Sequence, residues 1–466
     1  MVEGRPRIVF VPYPAQGHIT PMFHLAHAMH HQHGFEAILV NPNFIHNRLI
    51  ASSSGATDDP DNHGVTYANI PDGLHDGESI DFFSISHAME NHMPCHLERL
   101  LKSFETVGGV SCVVVDLLAS WAVGVAERCG IPVAGFWPAM LGTYRLISGV
   151  PGMICRGLID KNGTPLQEGA TNFIKGQPKL NPEELPWLIG SPSSRRSRFA
   201  FWLRTIDRCK SLRWLILNSF HGEETNTENP LSSPRIFHVG PLPTHSLTPT
   251  LWCKDSICIE WLDKQSPSSV VYVSFGSWVD PIGDDKVAEL ALGLEASGKP
   301  FLWVLSTAWR SGLPEGYLDR VKGRGMLVSW APQRDVLGHG AVGCYLMHCG
   351  WNSTIEAVER GKRLLCYPVA GDQFLNCAYI VDVWKVGVRL GKLERGEVEE
   401  GVKRLMDGCC GDGEGGEMMW RVMALKEQMM GRCGRLGADA ELNAFVDALA
   451  NWTLDECVKL SCFSSL

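Results

Sequence analysis

The stretch WAPQRDVLGHGAVGCYLMHCGWNSTIEAVERGKRLLCYPVAGDQ, residues 330–373, decides the fold of this chain. Within it, the apolar run 344–347 predicts a buried strand, and the pattern at 354–358 predicts a helix. The turn between them, 348–353, presents backbone N–H groups and the positive end of a helix dipole, equivalent to about half an elementary charge. This segment therefore predicts a site for a phosphate group.

The side chains of this turn extend the prediction from one phosphate to two. His348, Asn352 and Ser353 can each donate a hydrogen bond to a diphosphate. Gly350 has no Cβ, so an anion can approach its backbone closely. Together these residues fit a pyrophosphate group.

Residues on either side of the turn suit the rest of a nucleotide sugar. Trp330 offers a flat face for a base, and stacking of this kind is worth roughly 1–3 kcal/mol. Glu356 can accept hydrogen bonds from two vicinal ribose hydroxyls, although its spacing from Ser353 also fits a helix-capping box. Asp372 and Gln373 follow the next predicted strand and can hold sugar hydroxyls.

The segment 330–373 resembles the signature box of plant family 1 UDP-glycosyltransferases. The resemblance covers nearly the whole chain, because it continues in residues 8–18 (IVFVPYPAQGH), 112–116 (CVVVD), 217–220 (LNSF) and 270–277 (VVYVSFGS). The segments 116–121 (DLLASW) and 367–373 (YPVAGDQ) are similar to the group of this family numbered 82.

The resemblance implies a role for each matching residue. It implies UDP binding by Trp330, Ala331, Gln333, Glu356, Ser277, His348, Gly350, Asn352 and Ser353, and sugar binding by Trp351, Asp372 and Gln373. In this family a final Gln such as Gln373 goes with glucose, so UDP-glucose is the expected donor. No metal and no cofactor is expected, because the helix N-terminus and His348 would take the place of a cation at the diphosphate.

One departure from the family affects the choice of donor. Many relatives carry a Thr or Ser where this chain has Pro138, and that hydroxyl touches the primary alcohol of the sugar. Pro138 cannot supply such a hydrogen bond. UDP-xylose, whose sugar lacks this alcohol, therefore remains an alternative to UDP-glucose.

Two residues outside the box are candidates for the chemistry. His18 follows the first predicted strand in the loop 14–18, and a neutral imidazole that accepts a proton contributes roughly 10²–10⁴ in rate. Asp116 ends the apolar run 112–115, where it could also simply cap the next helix. The resemblance implies that His18 is the catalytic base and that Asp116 fixes its tautomer. Direct displacement would invert the anomeric carbon and give a β-glucoside.

The acceptor is expected to be a small, largely apolar molecule with a hydroxyl or carboxyl group. Aromatic residues of the first domain could form its walls, although most of them are equally well explained as core. They are Phe82, Phe83, Trp137, Trp187, Phe199 and Trp202.

Short β-rich runs alternate with helical ones along the chain, which predicts parallel βαβ units and the α/β class. A Pro-rich stretch at 240–249 separates two such series, so two Rossmann-like domains are expected. The resemblance implies that they face each other across a cleft, the GT-B arrangement. Residues 1–245 would bind the acceptor, 246–441 would bind the UDP-sugar, and a helix in 442–466 would return to the first domain.

Composition argues against several classes of protein. A net charge of −9 disfavours a nucleic-acid partner. Neither a signal peptide nor a membrane span is predicted, because no apolar run approaches the ~18 residues that a span needs. Sixteen cysteines without a Cys-x-x-Cys pair favour a reduced compartment. A cytoplasmic monomer is expected, with a UDP-sugar and a small acceptor as its only partners.

Other functions were weighed against this one. A non-catalytic UDP-sugar sensor or partner module remains an alternative, although the presence of His18 and Asp116 disfavours it. His24, His27 and His31 share one helical face and could bind a metal, but no Asp, Glu or Cys lies near them in the sequence. Hydride transfer needs a Gly-x-Gly-x-x-Gly turn after the first strand, and residues 14–17 are PAQG.

Overall fold

The computed structural model describes residues 5–53, 64–74, 80–223, 234–243, 257–276, 282–407 and 414–463. The chain divides into two compact units. The first comprises residues 1–144, 201–253 and 435–466, and the second comprises 145–200 and 254–434. Within the described ranges, no helix is both long enough and apolar enough to cross a lipid bilayer.

The first unit is built on a parallel sheet of seven strands among the described residues, in the order β3-β2-β1-β4-β5-β6-β7. The strands are β1 (Arg7–Val11), β2 (Glu36–Pro42), β3 (Val65–Ile70), β4 (Cys112–Asp116), β5 (Val133–Trp137), β6 (Trp214–Leu217) and β7 (Arg235–His238). The order reverses between β1 and β4, which makes this pair the topological switch point of the sheet, where open α/β sheets bind ligands.

The second unit has a parallel sheet of six strands in its described part, in the order β10-β9-β8-β11-β12-β13. They are β8 (Val270–Ser274), β9 (Phe301–Val304), β10 (Gly325–Val328), β11 (Val342–Met347), β12 (Arg363–Cys366) and β13 (Gly387–Arg389). Here the switch point lies between β8 and β11. The α/β class and the two predicted Rossmann-like series are confirmed.

Helices connect the strands, as parallel pairing requires. In chain order they are α1 (Gln16–His33), α2 (Asn43–Ser53), α3 (Phe82–Asn91), α4 (Met93–Ser103), α5 (Trp121–Arg128), α6 (Leu141–Ser148), α7 (Val150–Cys155), α8 (Pro192–Arg208), α9 (Ile257–Leu262), α10 (Asp284–Ser297), α11 (Tyr317–Arg320), α12 (Gln333–Gly338), α13 (Trp351–Glu359), α14 (Gln373–Ala378), α15 (Arg395–Met406), α16 (Glu414–Met430) and α17 (Arg432–Phe463).

Both faces of the first sheet are covered, which explains why its strands are continuous apolar runs. Ile8 and Phe10 of β1 belong to a core that includes residues of α1 and α17. Val9 and Val11 point the other way and belong to a core that includes residues of α3, α4 and α5. The alternation along β1 therefore buries every second residue on each face.

The end of the chain belongs to the first unit. On α17, Phe445 packs on Trp214 of β6 and on Phe237 of β7, with ring centroids 6.1 Å and 5.5 Å apart. Residues 145–200 group with the second unit, whereas the expected division at 245 had assigned them to the first.

Candidate active site

The switch point of the first sheet brings His18 and Asp116 together. Strands β1 and β4 pair with Val11 opposite Val115, so the residues that follow each strand emerge at the same edge. His18 Nδ1 lies 2.7 Å from Asp116 Oδ2. The imidazole is 23% exposed and the carboxyl 0%, and among the described residues Nε2 of His18 has no hydrogen-bond partner. A buried acid thus holds one ring nitrogen and leaves the other for a ligand.

His18 lies in the first turn of α1 and not in a loop as expected. The helix begins at Gln16, after Ala15 in an extended conformation and without a side-chain cap. The Tyr13 ring meets the imidazole edge to face, with centroids 5.1 Å apart and planes at 62°. The helix and the neighbouring ring both restrict the orientation of His18.

The two oxygens of Asp116 have different partners. Oδ1 accepts the backbone N–H of Leu118 at 2.9 Å, so Asp116 caps a short 3₁₀ turn, Leu117–Ala119. Oδ2 is the oxygen that faces His18. The sequence offered capping of the helix that contains Trp121 as an alternative role for Asp116, but the N-cap of that helix is Ser120. Asp116 caps the preceding 3₁₀ turn and contacts the imidazole at the same time.

At the switch point of the second sheet, His348 follows β11. Only 8% of the surface of His348 is exposed. Burial lowers the pKa of His348 to about 4, because the charged imidazolium loses its hydration. The imidazole is therefore neutral near pH 7 and carries a single N–H, with which it can donate a hydrogen bond to an anion.

Two glycines make room for this imidazole. A Cβ on Gly276 would lie 2.9 Å from Cε1 and Nε2 of His348, and a Cβ on Gly350 would lie 2.5 Å from Nε2. Gly276 also has a φ of +79°, which residues with a side chain rarely adopt. Gly276 was not among the residues predicted from the sequence; its signal is a glycine two residues after the buried strand β8.

Helix α13 begins at Trp351, three residues earlier than expected. Gly350 is its N-cap, and the N–H of Thr354 donates to the Gly350 carbonyl at 2.9 Å. Ser353 therefore lies inside the first turn, and the predicted capping box with Glu356 is wrong. The first N–H groups of an α-helix have no intrahelical acceptor, so the start of α13 is a site that favours an anion.

Gln333, the first residue of α12, connects four other side chains. Its Nε2 lies 3.0 Å from Ser353 Oγ and 2.8 Å from Glu356 Oε2. Its Oε1 accepts from the hydroxyl of Tyr345 at 2.9 Å and from that of Tyr272 at 3.4 Å. Burial raises the pKa of Glu356, and the hydrogen bond from Gln333 opposes this effect. Neither tyrosine was singled out from the sequence.

Trp330 and Ala331, both expected to bind UDP, precede α12. Trp330 follows β10 and is partly exposed, whereas Ala331 is buried. Asn352, on the first turn of α13, is partly exposed. Ser277, also expected to bind the diphosphate, lies outside the described residues.

The amide of Gln373 is oriented by the loop before α14. Its Oε1 accepts the backbone N–H groups of Val369 at 2.8 Å and Ala370 at 3.0 Å. Its Nε2 is therefore the group that remains to meet a sugar, and it can only donate. Asp372 accepts a hydrogen bond from Asn376 at 2.9 Å through Oδ2.

Trp351 is oriented differently from the other expected sugar contacts. Its ring is 4% exposed and lies 6.3 Å from the ring of Trp384.

Three buried thiols lie close together at the turn between β11 and α13. The sulfur atoms of Cys349, Cys366 and Cys377 lie within 4.8 Å of one another and come from the turn, the end of β12 and α14. Hydrogen bonds from the other two thiols lower the pKa of Cys377 to about 5. Asn376 also donates to the Cys349 carbonyl at 2.9 Å. These contacts connect the turn at Cys349 to β12 and to α14.

The histidine-rich face of α1 does not form a metal site. His24 and His27 are 6% and 9% exposed, and the ring of His27 packs 4.1 Å from that of His31. In the described parts of the chain, the thiol cluster is the one group of at least three ligands close enough for a metal. All cysteines whose side chains are described are free thiols.

The candidate acceptor aromatics are mostly core. Trp187 and Phe199 are 0% and 2% exposed and pack on each other at 5.1 Å, and Trp137 is 3% exposed. Phe82 and Trp202 are partly exposed, and Phe83 is exposed. Pro138 is buried at the carboxyl end of β5.

Comparison with known proteins identifies the family. Residues 255–410 match the family model "UDP-glucoronosyl and UDP-glucosyl transferase". The chain is 48% identical over 465 residues to UDP-glycosyltransferase 82A1 of Arabidopsis thaliana, covering 94% of this chain and 97% of that protein. It is 33% identical to 7-deoxyloganetin glucosyltransferase of Catharanthus roseus, covering 87% and 88%.

A solved structure agrees with the fold. UGT2 of Phytolacca americana, complexed with UDP-2fluoro-glucose and pterostilbene, superposes with a TM-score of 0.79 at 26% identity, covering 97% of this chain and 100% of that one. The expected likeness to the group numbered 82 and the GT-B fold class are confirmed. The chain belongs to the plant UDP-glycosyltransferase family and transfers a glycosyl group from a UDP-sugar to a small molecule.

Proposed function

We propose that this enzyme transfers glucose from UDP-glucose to a hydroxyl or carboxyl group of a small, largely apolar metabolite, with inversion at the anomeric carbon. The observation that carries the proposal is the 2.7 Å contact between His18 Nδ1 and the fully buried Asp116. Such a pair is a general base whose tautomer is fixed by an acid.

His18 Nε2 takes the proton of the acceptor hydroxyl as the oxygen attacks the anomeric carbon. Asp116 accepts the N–H at Nδ1 and stabilises the imidazolium that forms. Attack opposite the departing diphosphate converts the α-linked donor into a β-glucoside. An ionised carboxyl acceptor has no proton to lose, so its transfer depends much less on His18.

The leaving diphosphate is stabilised at the start of α13. The first-turn N–H groups, the Ser353 hydroxyl and the N–H of neutral His348 all favour negative charge there. Asn352 belongs to the same turn. Gly350 has no side chain and therefore leaves room for the diphosphate at the start of α13. These groups take the place of a metal ion at the diphosphate.

The uridine is held by the segment around α12. Trp330 stacks on uracil beside the Ala331 backbone, and Glu356 accepts the ribose hydroxyls. Gln333 donates to the same region, since its Nε2 already faces Ser353 and Glu356.

Glucose is favoured as the donor sugar for two reasons. The Nε2 of Gln373 is directed by the loop to donate to a sugar hydroxyl, beside Asp372. The Catharanthus relative is named a glucosyltransferase, and the Phytolacca structure holds UDP-2fluoro-glucose. Pro138 offers no hydroxyl to the primary alcohol, so UDP-xylose is the competitor to test.

The test is transfer by purified protein with UDP-glucose, UDP-xylose and UDP-galactose, using a panel of phenols, terpenoid alcohols and carboxylic acids. With a hydroxyl acceptor, His18→Ala should lower kcat by about 10²–10⁴ and leave the Kd for UDP nearly unchanged. Glu356→Ala is the matched control and should weaken UDP binding instead. Equal loss of UDP binding in both variants would contradict the assigned roles.

A further inference from the structure

Tyr345 places a hydroxyl inside a strand that is otherwise apolar. All six residues of β11 are buried, and Tyr345 and Tyr272 are 0% and 1% exposed. Their rings stack with centroids 4.8 Å apart and planes at 27°. A phenylalanine ring would fill the same space without a polar atom. A buried tyrosine hydroxyl, in contrast, needs a hydrogen-bond partner. The nearest one is the Gln333 carbonyl, at 2.9 Å.

The contacts of Gln333 determine which way its amide points. The atom 2.8 Å from Glu356 Oε2 is Nε2, which donates a hydrogen bond to that oxygen. The other atom is then Oε1, and it faces the two tyrosine hydroxyls, which donate to it. In the flipped amide, Oε1 would face Oε2 of Glu356, and the hydrogen bond from Nε2 would be lost.

We propose that Tyr345 is a positioning residue of the donor site, whose hydroxyl holds the Gln333 amide in the one orientation that directs its N–H groups towards the ribose-binding side. This inference rests on the proposed function, because that function assigns Gln333 and Glu356 to the nucleotide. Tyr272 assists from 3.4 Å, a distance at which a hydroxyl donates weakly.

Loss of the Tyr345 hydroxyl would leave the Gln333 carbonyl with one weak partner and make the flipped amide more accessible. UDP binding would then also have to order the Gln333 side chain, which weakens the affinity for UDP. The reacting groups His18 and Asp116 belong to the first unit and keep their contact. The effect should therefore appear in donor binding and not in the chemical step.

The experiment compares Tyr345→Phe with the wild type. We expect the Kd for UDP, measured by calorimetry, and the KM for the UDP-sugar to rise about fivefold, as for one buried hydrogen bond, while kcat changes less than about twofold. Tyr272→Phe should have a smaller effect. Tyr317→Phe is the matched control, since the Tyr317 hydroxyl in the same unit is buried without a partner among the described residues. It should leave the Kd unchanged.

A double-mutant cycle tests whether Tyr345 acts through Gln333. In a Gln333→Ala background, Tyr345→Phe should change the Kd for UDP by less than about twofold, because the group it positions is gone. A full fivefold loss in that background, or no loss in the wild-type background, would overturn the proposal while UDP binding itself stands. Failure of the wild-type protein to bind UDP would overturn the proposed function as well.

Discussion

The two sheets carry a histidine at the same topological place and give it opposite surroundings. His18 follows β1 at the first switch point, is partly exposed and faces the buried Asp116 at 2.7 Å. His348 follows β11 at the second switch point, is 8% exposed and is enclosed by Gly276 and Gly350. At the first site a buried carboxyl contacts one ring nitrogen, whereas at the second site burial keeps the imidazole neutral.

In the proposed mechanism, this difference lets one residue type serve two halves of the reaction. The proposed base has to accept a proton and then carry positive charge, which the Asp116 carboxylate makes favourable. A diphosphate ligand needs a donor that stays in one protonation state as pH varies, which burial provides. The strand order places both histidines at switch points, and the neighbouring residues determine the chemistry that is open to each imidazole.

The largest effect is expected from removing the charge at the first site. Asp116→Asn keeps an oxygen to cap Leu118 but presents an amide N–H₂ to His18 Nδ1, which forces the tautomer that cannot accept a proton at Nε2. With a hydroxyl acceptor, kcat should fall by about 10²–10⁴ with the Kd for UDP unchanged. Asp116→Ala should be less stable by about 1 kcal/mol in addition, because the cap is lost too. An Asp116→Asn enzyme with near wild-type kcat would reduce Asp116 to a capping residue.

The second prediction tests the neutrality of His348. Its pKa is about 4 in the folded protein and 6.5 when exposed, so its contribution to stability is complete above pH 6.5 and is lost as the pH falls towards 4. At about 1.4 kcal/mol per pH unit, the loss over this window is on the order of 3 kcal/mol. Denaturant unfolding without UDP should therefore depend less on pH in His348→Asn than in the wild type. Equal pH dependence in the two proteins would show that His348 titrates normally.

The third and smallest effect concerns the space around His348. Gly276→Ala should weaken UDP binding about tenfold, because the new Cβ displaces the imidazole and its hydrogen bond to the diphosphate. Gly298→Ala is the matched control: Gly298 has a similar φ of +68° in the same unit, but nothing lies within 4 Å of its Cβ position. It should lose stability without losing affinity for UDP. Similar affinities in both variants would mean that backbone strain, and not the imidazole, explains any change.

The strands were predictable because their signal is local. The run CVVVD of β4 is buried at all five positions, as expected for a parallel strand covered on both faces. The starts of α1 and α13 were misplaced by a few residues for a physical reason. Ala15 and Gly350 cap these helices without any side-chain hydrogen bond, so the usual N-terminal signal of Ser, Thr, Asp or Asn is absent.

The sequence predicted a set of candidate residues but not the contacts between them. His18 and Asp116 are 98 positions apart in the chain, and only the pairing of β1 with β4 brings them together. Tyr345 gave no signal of a polar role, because a tyrosine in an apolar strand is usually core. Its hydroxyl acquires its partners only when β8 and α12 pack beside β11, because they supply the Ser274 carbonyl at 3.4 Å and the Gln333 carbonyl at 2.9 Å.

By itself, the sequence determined the parallel α/β class and the family, and it predicted a phosphate-binding turn, because each depends on hydrophobic pattern or on residues close together in one segment. The tertiary structure alone decided that His348 is neutral, that each oxygen of Asp116 has its own partner, and which way the Gln333 amide points. These properties depend on desolvation and on hydrogen bonds between segments distant in the chain, and both arise only when the sheets and helices have packed.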